Sequence, residues 1–345
     1  MPKISFRSLL LTLAIGFSGA AVATLAGVPA ASLVGASLSV SIAALFRLPV
    51  GIPDVLRNFA FAIIGCSLGS GITKEALVQA VDWPLSLLFL GLAITAIIAI
   101  GSWVLCRFYA ITPETAVLST APGAISYTLA IAVGGMGDVR TIIVIQNIRV
   151  VLVATLLPFI LVHFGFAPGQ VHPAVSGSIF GSLVVILIAF GLGIGVEKWR
   201  IPASFLLAGV LVSGVAHYIG LVSGRPPFPL IFIGFTITGS MVGSRFSAIP
   251  LHDLKRLLAA SLSCAFLAGL LAVVFAYPVA VVLDIPFGQV FVAFAPGGLE
   301  AMAAMALSLG YDPAYVATHH LFRLLLLFMI VPFCLRIAQK VIHLP

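Results

Sequence analysis

The stretch PETAVLSTAPGAISYTLAIAVGGM at residues 113–136 is largely apolar but carries the triplet Ala121-Pro122-Gly123 near its middle. Proline ends an α-helix and glycine permits a sharp turn, so the triplet predicts an interruption. The limb before it, residues 113–120, would form roughly 12 Å of helix and reach only the middle of a bilayer core. The segment is therefore either a re-entrant hairpin or a broken helix that crosses the membrane.

A second copy of this stretch lies 174 residues later, at residues 287–310, and reads FGQVFVAFAPGGLEAMAAMALSLG. The same shift, without a gap, aligns further residues along the chain: Pro53 with Pro227, Gly65 with Gly239, Gly69 with Gly243, Asp138 with Asp312, and Arg149 with Arg323. Paired Pro, Gly, Asp and Arg at one offset are not expected by chance. The sequence predicts a duplication within one integral membrane domain, with a first membrane repeat at residues 1–174 and a second at 175–345.

The composition predicts a membrane protein. Hydrophobic residues make up 61% of the chain and charged residues 8%, against about 25% charged in an ordinary soluble domain. The net charge of +7 indicates basic cytoplasmic loops rather than nucleic-acid binding, because no polar basic module is present. The cysteines lie in apolar runs without CxxC spacing, so we expect buried free thiols at Cys66, Cys106, Cys264 and Cys334.

The charge distribution favours one topology. Each half has six apolar segments, and if all six span the membrane the loop Lys and Arg divide about evenly between the two faces. If the fifth segment enters and leaves by one face, only Lys74 and Arg225 lie outside. We therefore predict an all-α polytopic membrane protein: two inverted repeats of about five transmembrane helices each, plus a re-entrant hairpin or broken helix per repeat. We expect both termini to lie in the cytoplasm and the protein to lie in a bacterial inner (plasma) membrane. A homodimer is one candidate assembly.

The two interruptions are candidate binding sites. The second limb of each would begin at mid-bilayer, where unpaired N–H groups and the positive end of the helix dipole favour an anion. The alternative is a proline kink whose freed backbone groups bond neighbouring helices. The predicted substrate-binding residues here are Pro122, Gly123, Ala124, Ser126, Pro296, Gly297 and Gly298.

Arg149 and Arg323 are further candidates for substrate binding. Each follows an aspartate, Asp138 or Asp312, by 11 residues. If the aspartate caps the helix, the arginine lies about 16 Å along it, near the middle of a core about 30 Å thick. An unpartnered guanidinium there costs at least ~2.5 kcal/mol. We predict that both arginines hold substrate or counter-ions; the alternative is that they bond carbonyls of the interrupted segments. The aspartates themselves are expected to be helix caps.

Three other side chains are candidates for proton coupling. Glu300 is a carboxylate inside the second interrupted segment, and His319 and His320 lie one turn before Arg323. Glu300 could carry a proton or form an ion pair with one of the buried arginines, and structural histidines are the alternative for the other two. No catalytic residue, metal site or cofactor is predicted, because the seven histidines are scattered along the chain.

These motifs carry a resemblance to a known family. A duplicated unit with Gly-xxx-Gly-Ser in its third segment, Ala-Pro-Gly in its fifth and Asp followed by Arg in its sixth resembles the AbrB-duplication membrane family, over almost the whole chain. Members of that family carry the labels ammonia monooxygenase, transcriptional regulator and transport protein. The resemblance implies the layout of inverted-repeat cation and anion transporters, although this sequence lacks the aspartate that many sodium–proton exchangers place at the helix break.

The sequence therefore predicts a secondary active transporter, not an enzyme. The expected solute is a small anionic or polar organic molecule, with proton coupling as an option and a midplane site at the two breaks. A membrane sensor or regulatory protein with transporter architecture is the alternative. A membrane metallo-monooxygenase is disfavoured, because it would need clustered metal ligands. The expected partners are a small-molecule solute and the lipid bilayer, not nucleic acid.

Overall fold

The structure is a computed structural model that describes residues 4–71, 83–123, 125–166, 176–199 and 203–342. Within those ranges the chain forms fourteen α-helices. They are α1 (Phe6–Leu25), α2 (Ala31–Leu45), α3 (Asp54–Gly69), α4 (Trp83–Tyr109), α5 (Pro113–Thr120), α6 (Ile125–Val133), α7 (Val139–His163), α8 (Ile179–Glu197), α9 (Ser204–Tyr218), α10 (Phe228–Ser244), α11 (Leu251–Leu283), α12 (Phe287–Phe294), α13 (Leu299–Leu309) and α14 (Pro313–Ile342).

Seven of the described helices are long and apolar enough to cross a membrane, namely α1, α4, α7, α8, α10, α11 and α14. This agrees with the predicted all-α membrane class. Helices α2 and α9 have 15 residues each, or about 22 Å at a rise of about 1.5 Å per residue, which is less than a full core. Both begin after an alanine in the left-handed conformation, Ala30 and Ala203, so the helices are shorter than the apolar segments around them. The ten predicted spans stay a prediction.

Local structure around the two interruptions follows the 174-residue shift. Adding 174 to the bounds of α5 gives 287–294, the bounds of α12, and α6 and α13 begin at Ile125 and Leu299. Ala110 and Asp284, which directly follow α4 and α11, are also 174 residues apart, and each has φ of +52°. The helices on either side of the two breaks therefore begin at equivalent residues, although Gly123 has a positive φ and its counterpart Gly297 does not.

The chain divides into two compact units, and each contains segments from both halves of the sequence. Unit 1 takes its described residues from Met1–Val81, Ala154–Ala248 and Leu299–Ala317. In unit 1, α3 packs on α9, α2 packs on α10, and α13 packs on α2, α3 and α10. Glycines allow close approach: a Cβ on Gly69 would lie 2.8 Å from the backbone nitrogen of Gly214, and one on Gly243 would lie 2.8 Å from that of Ser41. Gly65 and Gly69, like Gly239 and Gly243, are separated by three residues. This small-xxx-small spacing serves close helix packing.

Unit 2 takes its described residues from Asp82–Val153, Ile249–Gly298 and Thr318–Pro345. Here α11 packs on α4 and α12, and α4 packs on α5. A buried cluster joins α4, α5, α7 and α11 through Leu105, Ala116, Ile145, Ala260 and Cys264. All four cysteines of the chain are free thiols; Cys66 and Cys264 are buried, as the sequence predicts, whereas Cys106 and Cys334 are only partly buried. Both Ala-Pro-Gly triplets lie in unit 2.

Candidate functional site

The first triplet separates α5 from α6. Helix α5 ends at Thr120, and α6 begins at Ile125. Gly123 has φ of +87°, a conformation that residues with a Cβ rarely adopt. The interruption that Pro122 and Gly123 predict is therefore present, and the glycine is required by the backbone.

The second triplet separates α12 from α13, but Gly297 does not share the positive φ of Gly123. Helix α12 ends at Phe294, and α13 begins at Leu299. The N–H of Gly297 donates to the carbonyl oxygen of Ala295 over 2.8 Å, which folds the chain tightly around Pro296. Of the predicted site residues, Ala124 lies outside the described residues, as do the side chains of Ser126 in α6 and Glu300 in α13. The predictions for these three residues stay predictions.

Arg149 caps the end of α5. Its side chain is fully buried. Nη1 donates to the carbonyl oxygens of Ser119 (3.2 Å) and Thr120 (2.9 Å), and Nη2 donates to that of Ala121 (3.0 Å). These carbonyls lack intrahelical partners because the helix stops there. The guanidinium also lies at the negative end of the α5 dipole, where a cation is favoured.

Arg323 bonds carbonyls of the second break, and of these contacts only that with Ala295 has a counterpart in the first half, the contact of Arg149 with Ala121. Nη1 donates to the carbonyl oxygen of Ala295 over 2.7 Å, and Nη2 donates to that of Gly297 over 2.9 Å. The guanidinium also lies against the first break, because a Cβ on Gly123 would stand 2.7 Å from Nη2. The two interruptions therefore come together at the Arg323 side chain within unit 2.

Both arginines are thus placed on carbonyls of the interrupted segments, the arrangement that the sequence left open as the alternative to substrate contact. Hydrogen bonds from a charged donor are stronger than those from a neutral one, so the carbonyl contacts explain how two guanidiniums are held in an apolar region. Contact between Arg149 or Arg323 and a substrate stays a prediction.

Gln146 is a site residue that sequence reasoning missed. It is fully buried, and its Nε2 donates to the carbonyl oxygen of Leu118 in α5 (2.6 Å) and to Oγ1 of Thr128 in α6 (2.9 Å). Gln146 therefore ties the two limbs of the first break together. The 174-residue shift pairs it with His320, and that pairing is the signal that could have found it.

His320 has the equivalent contact in the second half. It is fully buried, and its Nε2 lies 3.1 Å from the carbonyl oxygen of Val292 in α12. Val292 is the counterpart of Leu118 under the same shift. The neighbouring His319 has a different environment: Nε2 lies 2.8 Å from Oγ of Ser86, and the ring lies beside Trp83 and Phe294. The structure therefore separates the two histidines that the sequence grouped.

Buried polar atoms without a hydrogen-bond partner occur at the first break and at His320, and also elsewhere in the described chain, for example Oγ of Ser37 and Oγ1 of Thr236. Among the described residues they include Oγ of Ser119, Oε1 of Gln146, Nε of Arg149 and Nδ1 of His320. A buried polar group left unsatisfied costs about 1–3 kcal/mol, so each such atom in a folded protein needs an explanation. Unfilled hydrogen-bonding capacity is one property expected of a binding site for a polar solute.

The two aspartates are helix caps. Asp138 accepts hydrogen bonds from the N–H of Arg140 (3.1 Å) and the hydroxyl of Thr141 (2.6 Å), and Asp312 accepts one from the N–H of Ala314 (2.8 Å). Burial alone would raise the pKa of Asp138, but these hydrogen bonds and the nearby Arg256 outweigh it and lower the pKa below its ordinary value. Burial raises the pKa of Asp312. The caps explain both residues without a cation site.

Among the described residues, no group of three or more His, Cys, Asp or Glu side chains is arranged to hold a metal ion. Cys264 lies within hydrogen-bonding reach of the Arg149 guanidinium and supplies a soft, weakly polar neighbour to it. The arrangement as a whole contains two buried guanidinium groups bonded to carbonyls, two interrupted helices, and several polar atoms without a hydrogen-bond partner.

Comparison with known proteins places the chain in a family. A family model described as transition state regulatory protein AbrB matches residues 32–339. The chain is similar to a protein of Escherichia coli (strain K12) named "Putative regulator AbrB", with 25% identity over 305 residues that cover 86% of each protein. It is also similar to a protein of Bacillus subtilis (strain 168) named "Uncharacterized protein YhjN", with 23% identity over 295 residues, 78% of this chain and 75% of the relative. The chain belongs to the AbrB family.

Proposed function

We propose that this protein is a secondary active transporter of a small anionic or polar organic solute, with its site at the two Ala-Pro-Gly breaks. In this proposal the membrane repeats at residues 1–174 and 175–345 are inverted relative to each other. Two helices interrupted at equivalent positions are typical of transporters, which bind solute and coupling ions at such breaks near the bilayer midplane. The observation that carries the proposal is the pair of equivalent breaks, each capped by a buried arginine.

The charge around Arg149 favours an anion. The described residues place no carboxylate within salt-bridge distance of this buried guanidinium. The negative end of the α5 dipole offsets only about half of the elementary charge on the Arg149 guanidinium. A positive potential therefore remains at the first break. Helix α6, which begins just after the break, directs the positive end of its own dipole toward the same turn. An anionic group of a solute would complement both.

Interrupted helices also provide the freedom of movement that transport needs. Backbone groups freed from a helix in hydrocarbon are tolerated only where protein or a polar cavity satisfies them. The arginines satisfy part of this requirement, and a change in their carbonyl contacts offers a way for the breaks to change shape between two states. Rocking or elevator-like motion of the segments that bear the breaks would then alternate access to the solute.

Uptake into proteoliposomes tests the proposal. The purified protein is first screened for thermal stabilisation by a panel of small carboxylates, because a ligand at about 100 times its Kd stabilises the folded state by about 2.7 kcal/mol. The acids that stabilise it are then tried as radiolabelled solutes in proteoliposomes. We expect accumulation of at least one acid above that in protein-free vesicles. A pH gradient should increase that accumulation, and Glu300→Gln or His320→Gln should identify the proton carrier by abolishing only this increase.

The regulator alternative makes a different prediction. Its support is the word regulatory in the description of the family model and the word regulator in the name of the Escherichia coli relative. A membrane sensor would bind the same anions but would not move them across the bilayer. Stabilisation by an acid together with uptake no greater than in protein-free vesicles, under every gradient imposed, would favour the sensor and reject the transporter.

A further inference from the structure

Gln146 and His320 present the same chemistry at equivalent positions in the two halves. Each is fully buried and uses one nitrogen to reach the carbonyl oxygen of the equivalent residue in the limb before the break, Leu118 or Val292. Each also leaves one atom without a hydrogen-bond partner, Oε1 of Gln146 and Nδ1 of His320. A glutamine and a histidine differ in shape. What the two side chains share is one nitrogen that donates to a backbone carbonyl and one polar atom without a hydrogen-bond partner.

The contacts fix the unfilled atom of Gln146 as an acceptor. The carbonyl of Leu118 can only accept a hydrogen bond, so the atom that faces it must be the amide nitrogen. The hydroxyl of Thr128 is itself used as a donor to the carbonyl oxygen of Ile125 over 3.0 Å, so it accepts from the same nitrogen. Oε1 of Gln146 is therefore a hydrogen-bond acceptor with nothing to accept.

The same reasoning applies to His320. The carbonyl of Val292 can only accept, so Nε2 carries the hydrogen. In the neutral ring Nδ1 is then an acceptor. Nδ1 of His320 is therefore the counterpart of Oε1 of Gln146.

We infer that the solute carries hydrogen-bond donors, hydroxyl or amino groups, which Oε1 of Gln146 and Nδ1 of His320 accept. This inference rests on the proposed function and narrows the substrate class to small hydroxy or amino acids, as opposed to plain carboxylates or inorganic oxyanions. The anionic group of the solute complements the positive potential near the breaks, and its hydroxyl or amino group donates to the two acceptors. A site built to accept a hydrogen bond discriminates against an analogue that lacks the donor, because its buried acceptor is then left unpaired.

Matched pairs of acids test the inference. The probes are glycolate and acetate, lactate and propionate, and malate and succinate, which differ by one hydroxyl within each pair. Binding is measured by the shift in thermal unfolding of the purified full-length protein, titrated with each acid. For at least one pair we expect the hydroxy acid to bind at least about tenfold more tightly than its partner. Glycine against acetate tests an amino donor in the same way.

Four variants assign that preference to the two residues. Gln146→Leu and His320→Leu remove the acceptors. In at least one of these variants the hydroxy acid and its plain partner should bind with nearly equal affinity. Gln146→His and His320→Gln place at each position the residue found at the equivalent one, so donor and acceptor are both kept and the preference should remain. If one leucine variant does not fold, the preference of the wild type and of the other leucine variant decides the question.

The outcomes separate the inference from the proposed function. Equal binding of both members of every pair, with the plain acids still transported, overturns the inference and leaves the transporter standing. A preference that persists unchanged in both leucine variants also overturns it, since neither residue would then contribute to recognition of the hydroxyl group. If no acid of any pair binds or is transported, the proposed function fails together with the inference.

Discussion

Replacing Arg149 with methionine is expected to lower both stability and transport. The change leaves the carbonyls of Ser119, Thr120 and Ala121 without the donors that they have in the structure. Hydrogen bonds to charged groups contribute about 1.5–3 kcal/mol each, so we expect the free energy of unfolding to fall by roughly 3 kcal/mol or more. Uptake should fall to the level of protein-free vesicles, because the end of α5 loses its positive charge and its fixed shape.

Lysine at position 149 separates charge from geometry. An ammonium keeps the charge but lacks the planar fork that reaches several carbonyls at once, so Arg149→Lys should be intermediate in both stability and uptake. The equivalent substitutions of Arg323 should behave in the same order. Arg107→Met is the control, because that side chain is exposed. Wild-type stability and uptake for correctly inserted Arg149→Met and Arg323→Met would show that neither guanidinium supports the breaks.

Replacing Gly123 with alanine should have a comparably large effect on transport. Gly123 has φ of +87°, and the added Cβ would lie 2.7 Å from Nη2 of Arg323. A positive φ costs an alanine about 1–2 kcal/mol, and the methyl group must also displace a guanidinium that holds the second break. We expect uptake to fall at least tenfold, which corresponds to about 1.4 kcal/mol of transition-state stabilisation.

Two other glycines provide matched controls for Gly123→Ala. Gly135 also has a positive φ, +99°, but an added Cβ would meet nothing within 4 Å. Gly135→Ala should therefore lower stability to a similar degree through backbone strain and leave uptake near wild type. Gly191 lies in α8 with open space around it and no positive φ, so Gly191→Ala should be neutral or slightly stabilising. Equal uptake by the Gly123 and Gly135 variants would contradict the contact with Arg323.

The sequence predicts those features that depend on local chemistry. Proline and glycine mark the breaks, and aspartate followed by a helix marks the caps, because each residue type acts on its own backbone or on the N–H groups that follow it. The distance of Arg149 and Arg323 from the start of their helices also follows from helix rise alone. In all these cases the residue that carries the signal is the residue that makes the structure.

The features that sequence reasoning missed depend on partners that carry no signal. Gln146 bonds a main-chain carbonyl, and a carbonyl can belong to any residue, so the sequence does not identify its partner. For the arginines, carbonyl contacts are one of the two interpretations that the sequence leaves open. A single glutamine in an apolar helix resembles an ordinary buried polar residue. The two compact units could not be predicted either, because each combines three separate stretches of the chain and periodicity reports only on neighbours along one helix.

The central claim is that the two repeats have opposite orientations in the membrane, and the sidedness of two equivalent loops tests it most directly. Lys74 and Lys255 follow the third apolar segment of the first and second repeat, respectively. Each is replaced by cysteine in a protein whose four native cysteines are changed to alanine, and a membrane-impermeant maleimide is added to intact cells and to inverted vesicles. We expect position 74 to react from outside and position 255 only from the cytoplasmic face. Reaction of both positions from the same face would contradict the account.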